Sequence, residues 1–188
     1  MRIGLVSDTH IPEAGKELPP QLYEAFDKVD LILHAGDMHI IQVLDWLENL
    51  APVVAARGNG DGSSGRPPFP DEDPRVKYAH NLKLGGLRVG LIHWFPLPRE
   101  VPGLPPNNTL AAFMERHFGG PVDVVVCGDT HVARVDNHQG VLMINSGSPT
   151  LPNNSMPRLG TVAMLTIEGG VPSAEILQLT ELAAADRG

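Results

Sequence analysis

Ile3-Gly4-Leu5-Val6-Ser7-Asp8-Thr9-His10 is the stretch on which the fold turns. An apolar strand, Ile3 to Val6, runs into a carboxylate and an imidazole two residues apart. On a strand that continued, residues i and i+2 would share one face; at a strand end both can point into the space beyond the sheet. Oxygen and nitrogen donors placed there suit a divalent ion of the Mn, Fe or Zn type. By itself Asp-x-His reads first as an ordinary turn with a capping Asp. Its meaning depends on what the rest of the chain sets beside it.

The same event recurs downstream. Arg2–Ser7 reads as a buried strand and Ile11–Pro20 as a loop. Pro19-Pro20 opens a helix running to about Val29. Asp30–Ala35 is a second apolar strand, ending at Gly36-Asp37. His39–Leu50 carries Ile40, Val43, Leu44 and Leu47 at helical spacing, with Asp45 and Glu48 opposite, which predicts a helix. Pro52–Ala56 is a third strand, ending at Arg57-Gly58-Asn59-Gly60-Asp61. Alternating strand and helix predicts an α/β fold with parallel pairing. In such sheets ligands gather beyond the carboxyl ends of the strands, and all three strands end in polar, metal-capable residues.

The second half adds more of these ends. Gly62–Pro74 reads as an exposed loop. Arg75–His80, Asn81–Leu84 and Leu87–His93 read as strands, with Gly85-Gly86 as a hairpin turn. The third of them ends at His93-Trp94-Phe95-Pro96. Leu97–Asn108 is Pro-rich and irregular, and Asn108 caps a predicted helix from Thr109 to about Phe118. Pro121–Cys127 is a buried strand followed by Gly128-Asp129-Thr130-His131. Val132–Asp136 pairs with Val141–Ile144 across Asn137–Gly140. Asn145–Asn154 is a polar loop, and Thr161–Ile167 with Ala174–Leu179 forms a hairpin over Gly169-Gly170, before a frayed tail after Leu182. With no repeat or linker, residues 1–188 read as one domain.

Composition excludes several classes of function. At 188 residues, 42% apolar and 19% charged, the chain is long and apolar enough for a sizeable core. The net charge of −8 argues against an extended nucleic-acid track or an anionic membrane surface, and so against a nuclease. The single cysteine, Cys127, reads as a buried strand thiol. The first strand begins at residue 2, leaving no room for a signal peptide, and no apolar run approaches membrane-spanning length. A soluble cytoplasmic protein is the expectation.

The strand ends together carry Asp8, His10, Asp37, Asn59, His93, Asp129 and His131. A structural zinc site would favour cysteine, and a calcium site would use oxygen alone. Carboxylate, imidazole and amide donors from separate strand ends suit two transition-metal ions sharing a carboxylate. Such a pair clamps the attacking and leaving oxygens of a phosphoryl displacement.

The ordered series Asp8-x-His10, Gly36-Asp37, Gly58-Asn59-x-Asp61, His93 and Gly128-x-Thr130-His131 resembles the calcineurin-like metallophosphoesterases. The length and the Asn145-Ser146-Gly147-Ser148 loop resemble their small single-domain prokaryotic phosphodiesterase branch. The resemblance spans residues 1 to about 180. It implies a four-layer αββα sandwich, two mixed β-sheets flanked by helices, with two divalent ions at the strand ends, Mn first, with Fe, Zn, Ni or Mg as alternatives. It places Asp8, His10 and His131 on the first ion, Asp37 as the bridge, and Asn59, His93 and position 129 on the second. It implies an ion-bound water attacking a small phosphoester in line. The catalytic candidates are Asn59 and, from its place before the Gly-Asn turn, Arg57. Whether Asp129 ligates, and whether the chain forms a homo-oligomer, stay open.

Three departures from that pattern stand out. Gly60 occupies the place where many members have a leaving-group histidine, so good leaving groups are favoured. Trp94 follows His93 where glycine is common, and Trp94–Pro106 reads as a wall or lid. The usual Gly-His-Thr-His is Gly128-Asp129-Thr130-His131. Outside the series, Arg57 reads as a phosphate contact or an ion-pair partner. His34 reads as a hydrogen-bonded core residue, and His39 as exposed at a helix start. His80, His117 and His138 read as surface residues. The competing function is a protein-binding scaffold of the retromer-subunit type, which shares the fold and has a degenerate metal site; ligand completeness discriminates the two.

Overall fold

The computed structural model describes residues 1–65, 69–70, 72–96 and 109–185, with side chains through 182. The first sheet contains β1 (Arg2–Val6), β2 (Leu31–His34), β3 (Val53–Ala56), β4 (Val76–Lys77), β10 (Thr161–Glu168) and β11 (Val171–Gln178), in the order β11-β10-β1-β2-β3-β4. The second contains β5 (Ala79–Leu84), β6 (Leu87–Ile92), β7 (Val124–Cys127), β8 (Arg134–His138) and β9 (Val141–Asn145), in the order β5-β6-β7-β9-β8. In each sheet the central strands run parallel and an antiparallel hairpin closes an edge.

Alternation along the central strands sorts their side chains into layers. Ile3 and Leu5 of β1 pack with Val89, Leu91, Val124 and Val126 of the other sheet, forming the core between the sheets. Val6 and Ile32 face the other way. They pack against α1 (Pro20–Ala25), α2 (Gln42–Glu48) and α4 (Leu179–Ala185) through Leu22, Leu44, Leu47 and Leu179. On the far side Ile92, Val125, Cys127 and Met143 pack against Phe113 and Phe118 of α3 (Leu110–Phe118). Helices, sheet, sheet, helix is the four-layer sandwich expected. Each fully buried Ile or Leu in these layers stabilises by about 1.5–3 kcal/mol, which offsets the strain and desolvation concentrated at the strand ends.

Several boundaries depart from the sequence reading. The first helix stops at Ala25, with Lys28 in the left-handed region at φ 58°, because the chain must turn to start β2. α2 begins at Gln42 and not at His39; His39 has φ 69°, and its N–H donates to Asp61 Oδ1 at 2.8 Å. A residue held that way cannot continue a helix. The cap of α3 is Thr109, whose hydroxyl accepts the N–H of Ala112 at 3.2 Å; Asn108 lies outside the described residues. β8 runs two residues later than expected, leaving Gln139-Gly140 as the turn. The tail is helical through Ala185. Among the described residues, no helix is long and apolar enough to cross a membrane.

Candidate metal centre

The carboxyl ends of both sheets meet at one place. There the chain forms three Asp-x-His turns of the same backbone shape. Asp8 and His10 have φ 54° and 48°, Asp37 and His39 have 54° and 69°, and Asp129 and His131 have 68° and 59°. Left-handed conformations in non-glycine residues cost about 1 kcal/mol or more each. They persist because the turns are tied together: His10 N–H donates to Asp37 O at 3.1 Å, and Asp8 N–H to Gly36 O at 2.9 Å. Across the sheets, Asp129 N–H donates to the Asp8 carboxylate at 3.1–3.2 Å. Gly58 passes so close to Asp37 that a Cβ there would overlap the Asp37 carboxylate.

Two imidazoles are held in one tautomer by backbone carbonyls. His93 Nδ1–H donates to Ala35 O at 2.7 Å, and His131 Nδ1–H to Leu151 O at 2.7 Å. Both therefore present an Nε2 lone pair inward, the arrangement metal-binding histidines adopt. His131 Nε2 faces Asp8 Oδ1 at 3.6 Å. His93 Nε2 faces Asp37 Oδ1 at 3.5 Å, Asp129 Oδ1 at 3.6 Å and Asn59 Oδ1 at 3.1 Å. An acceptor nitrogen ringed by acceptor oxygens needs a proton or a cation between them. His10 Nε2 is 3.5 Å from Asp37 Oδ2, buried, and without a hydrogen-bond partner among the described residues.

Asp8, His10 and His131 offer ligand atoms within 4.8 Å of one another, and so do Asp8, Asp37 and His93. The two sets share Asp8, and Asp37 lies between His10 and His93. Burial pushes the Asp8 carboxyl well above the ordinary carboxylate range, the Ser7 hydrogen bond only partly opposing it, with Asp37 and Asp129 pushing further up. For Asp37 burial pushes up as well, but His10, His93 and the Gly60 N–H outweigh it and hold the carboxyl below its usual range. Burial lowers His131. A buried carboxyl group beside two others and imidazoles that turn Nε2 inward is a donor set that fits divalent ions.

All seven expected donors thus converge. Asp129 is among them, its side chain 35% exposed at the rim. Arg57 donates Nε–H to Asp61 O at 3.4 Å and lies over the Phe69 ring, with no carboxylate partner among the described residues. With Asn59, His93, Tyr78 and Trp94 it lines a cleft of about 230 Å³. Tyr78 and Trp94 stay 66% and 44% exposed. Trp94 forms a wall of the cleft; residues 97–106 of the expected lid lie outside the described residues. A second cleft, of about 410 Å³, runs from His131 past Asn153 and Arg158 to Gln178.

Residues to which the sequence reading assigned no role in the site also build it. Asp61 is buried and its carboxylate accepts three backbone N–H groups, from Asp37, His39 and Gly58; burial raises its pKa. Its signal was the acidic residue two after Asn59. Ser148 donates to Asp8 O, and Thr150 to Thr9 O, both at 2.7 Å, so the polar loop after β9 locks the first turn. His39 is fully buried, not exposed, with Nδ1 on Glu13 Oε2 at 2.5 Å. His80 is also buried, its Nε2–H donating to Ala55 O at 2.8 Å, because it sits on β5 and not in a loop. His117 stacks on Phe113 of α3 and is partly buried. His34 is the core residue expected: its Nδ1 accepts the N–H of Gly36 at 3.1 Å, and its Nε2 lies 3.3 Å from Thr9 Oγ1.

The family model described as the calcineurin-like phosphoesterase superfamily domain matches residues 1–170. The chain belongs to this superfamily. A protein of Methanothermobacter thermautotrophicus named "Probable metallophosphoesterase" is 35% identical over 178 residues, 95% of this chain and 92% of that protein. Among solved structures, a phosphodiesterase from an archaeon has TM-score 0.62 at 23% identity, covering 94% of this chain and 100% of that one. The zinc complex of the vacuolar protein sorting protein Vps29 from Entamoeba histolytica has TM-score 0.65 at 18% identity, covering 95% and 99%. At such identities the solved structures establish the shared fold. The metallophosphoesterase family implies divalent metal, and the donor groups described above fit it.

Proposed function

We propose that the chain is a phosphodiesterase acting on a small phosphoester with two divalent ions, Mn²⁺ first among them. The observation that carries this reading is the complete donor set: Asp8, His10, Asp37 and His131 to hold one ion, and Asp37, Asn59, His93 and Asp129 to hold the other. When bound, such ions supply an acidified water and offset the charge of the phosphoryl oxygens. The complete set weighs against the scaffold alternative, but the zinc complex of Vps29 shows that a neighbour of that fold also holds metal, so the hydrolysis assay decides between the two.

The chain's own residues support a diester over a monoester. A diester carries two arms, and clefts flank the centre on the Asn59 and His93 side and on the His131 side. Arg57, with its charge unpaired by any described carboxylate, lines the same cleft as Asn59, which supports a role in orienting a phosphoryl oxygen. Tyr78 and Trp94 offer exposed ring surface to a flat leaving group. With Gly60 where a proton donor would help, a leaving group of low basicity is the better substrate. This reading takes residues 1–188 as one cytoplasmic domain with a small-molecule partner.

The deciding assay loads the purified chain with Mn²⁺, Zn²⁺, Fe²⁺, Ni²⁺ or Mg²⁺ and offers bis(4-nitrophenyl) phosphate, 4-nitrophenyl phosphate and nucleotide diesters. Metal-dependent release with diesters ahead of the monoester is expected. No hydrolysis with any ion would end the enzyme reading, and a faster monoester would end the diester one.

A further inference from the structure

We infer that the ion held by His10 and Asp37 takes an additional imidazole, His39, positioned by Glu13. One nitrogen each of His10 and His39 and a carboxylate oxygen of Asp37 lie within 4.8 Å of one another, a second triad built on His10. His39 is fully buried, and its ring centre is 4.2 Å from that of His10. The His10–His131 ring centres are 4.7 Å apart. Two imidazoles bound at right angles through nitrogens roughly 2.1 Å from one ion have ring centres roughly 4.5 Å apart. Both pairs match that spacing, so His39 stands to His10 as His131 does.

The tautomer agrees. Glu13, its side chain 45% exposed, takes the Nδ1 proton of His39 in a 2.5 Å hydrogen bond, which puts the ring's lone pair on Nε2. A carboxylate behind an imidazole in front of a metal is the arrangement that fixes ring orientation and raises ligand basicity. Backbone geometry agrees too: Asp37-Met38-His39 adopts the same left-handed pair of conformations as Asp8-Thr9-His10 and Asp129-Thr130-His131. Asp61 holds it there by accepting the His39 N–H at 2.8 Å. A third imidazole makes this site softer than the opposite one, so it should favour Zn²⁺ and Co²⁺ over Mg²⁺.

The inference needs the ion from the reading above but not the reaction. The test titrates metal-free chain with Co²⁺, following visible absorption, with Zn²⁺ competition for affinity and circular dichroism for folding. His39→Gln should weaken the tighter Co²⁺ site at least tenfold and shift its visible band; Glu13→Ala, which changes a side chain at the surface, should weaken it about tenfold. A wild-type band in folded His39→Gln overturns the inference even if affinity drops, since a merely structural role would lower affinity without changing the ligand field. Wild-type affinity in Glu13→Ala overturns the pair, and decides alone if His39→Gln does not fold. No substrate is present, so an inactive wild-type chain would sink the phosphoesterase proposal and leave this one standing.

Discussion

Asp61 Oδ2 accepts the backbone N–H of Asp37 at 3.1 Å, and that one contact ties the end of the third strand to the turn that carries the central carboxylate. The same side chain takes the N–H groups of Gly58 at 2.7 Å and His39 at 2.8 Å. Asp61→Ala leaves three buried donors without a partner. It should lower stability by about 3 kcal/mol, read by urea denaturation of the metal-free chain, and weaken binding of both ions. Wild-type stability in this variant would show that the loop rearranges to satisfy those groups.

Asp37 faces His10 on one side and His93 on the other, at 3.5 Å each. Asp37→Ala should therefore reduce metal content from two ions per chain to one or none and remove activity. Asn59→Ala should lose chiefly the ion on the His93 side. Elemental analysis after gel filtration checks both, and equal loss of both ions in Asn59→Ala would overturn the division of ligands.

At Gly58 no side chain fits beside Asp37. Gly58→Ala should displace the carboxylate, costing about 1–3 kcal/mol in stability and lowering metal affinity, with a far-ultraviolet spectrum like that of the wild type. Unchanged affinity would mean that the Asp37 position is not critical to the ions.

Asp129 stands where the family commonly has histidine, 3.6 Å from His93 Nε2. A carboxylate there lowers the net positive charge of a loaded site by one relative to imidazole and suits harder ions. Asp129→His should tighten phosphate inhibition, shift metal preference from Mn²⁺ toward Zn²⁺, and lower the pH at which the rate rises. An unchanged metal order and pH profile would show that Asp129 does not ligate.

His34 is buried neutral, its pKa lowered to about 3, first by burial and then by His93. Unfolded, it titrates near the ordinary value of about 6.5. Between those two values the unfolded chain binds the extra proton, so stability is full above the higher value and is lost as pH falls below it. From about pH 7.5 to pH 5 this residue should cost about 2 kcal/mol. Unfolding free energies from urea titrations of the metal-free wild type and His34→Gln should diverge by that amount, the wild type falling further. Parallel pH curves would show that His34 stays neutral in neither state or in both.

Periodicity and strand-end chemistry were legible without coordinates. Ile3, Leu5 and Val6 before Asp8, and the apolar runs before Asp37, Asn59, His93 and Asp129, announce strands whose ends carry donors. Side-chain alternation is a local property, and so is the choice of a polar residue to stop a strand. The seven candidate donors are legible for the same reason, since they sit at the ends of five apolar runs, Asp8 with His10 and Asp129 with His131 sharing one end each. The tertiary structure alone decided the fate of His39, which by pattern begins an amphipathic helix. Asp61, 22 residues downstream, takes its N–H, and Glu13, 26 residues upstream, takes its ring proton. Those contacts drive it into a left-handed turn inside the site. His80, likewise, reads as a surface residue until β5 places its ring against Ala55 O of the other sheet. Burial and hydrogen-bond partnership at such positions depend on residues far away in the chain, which no local spacing encodes.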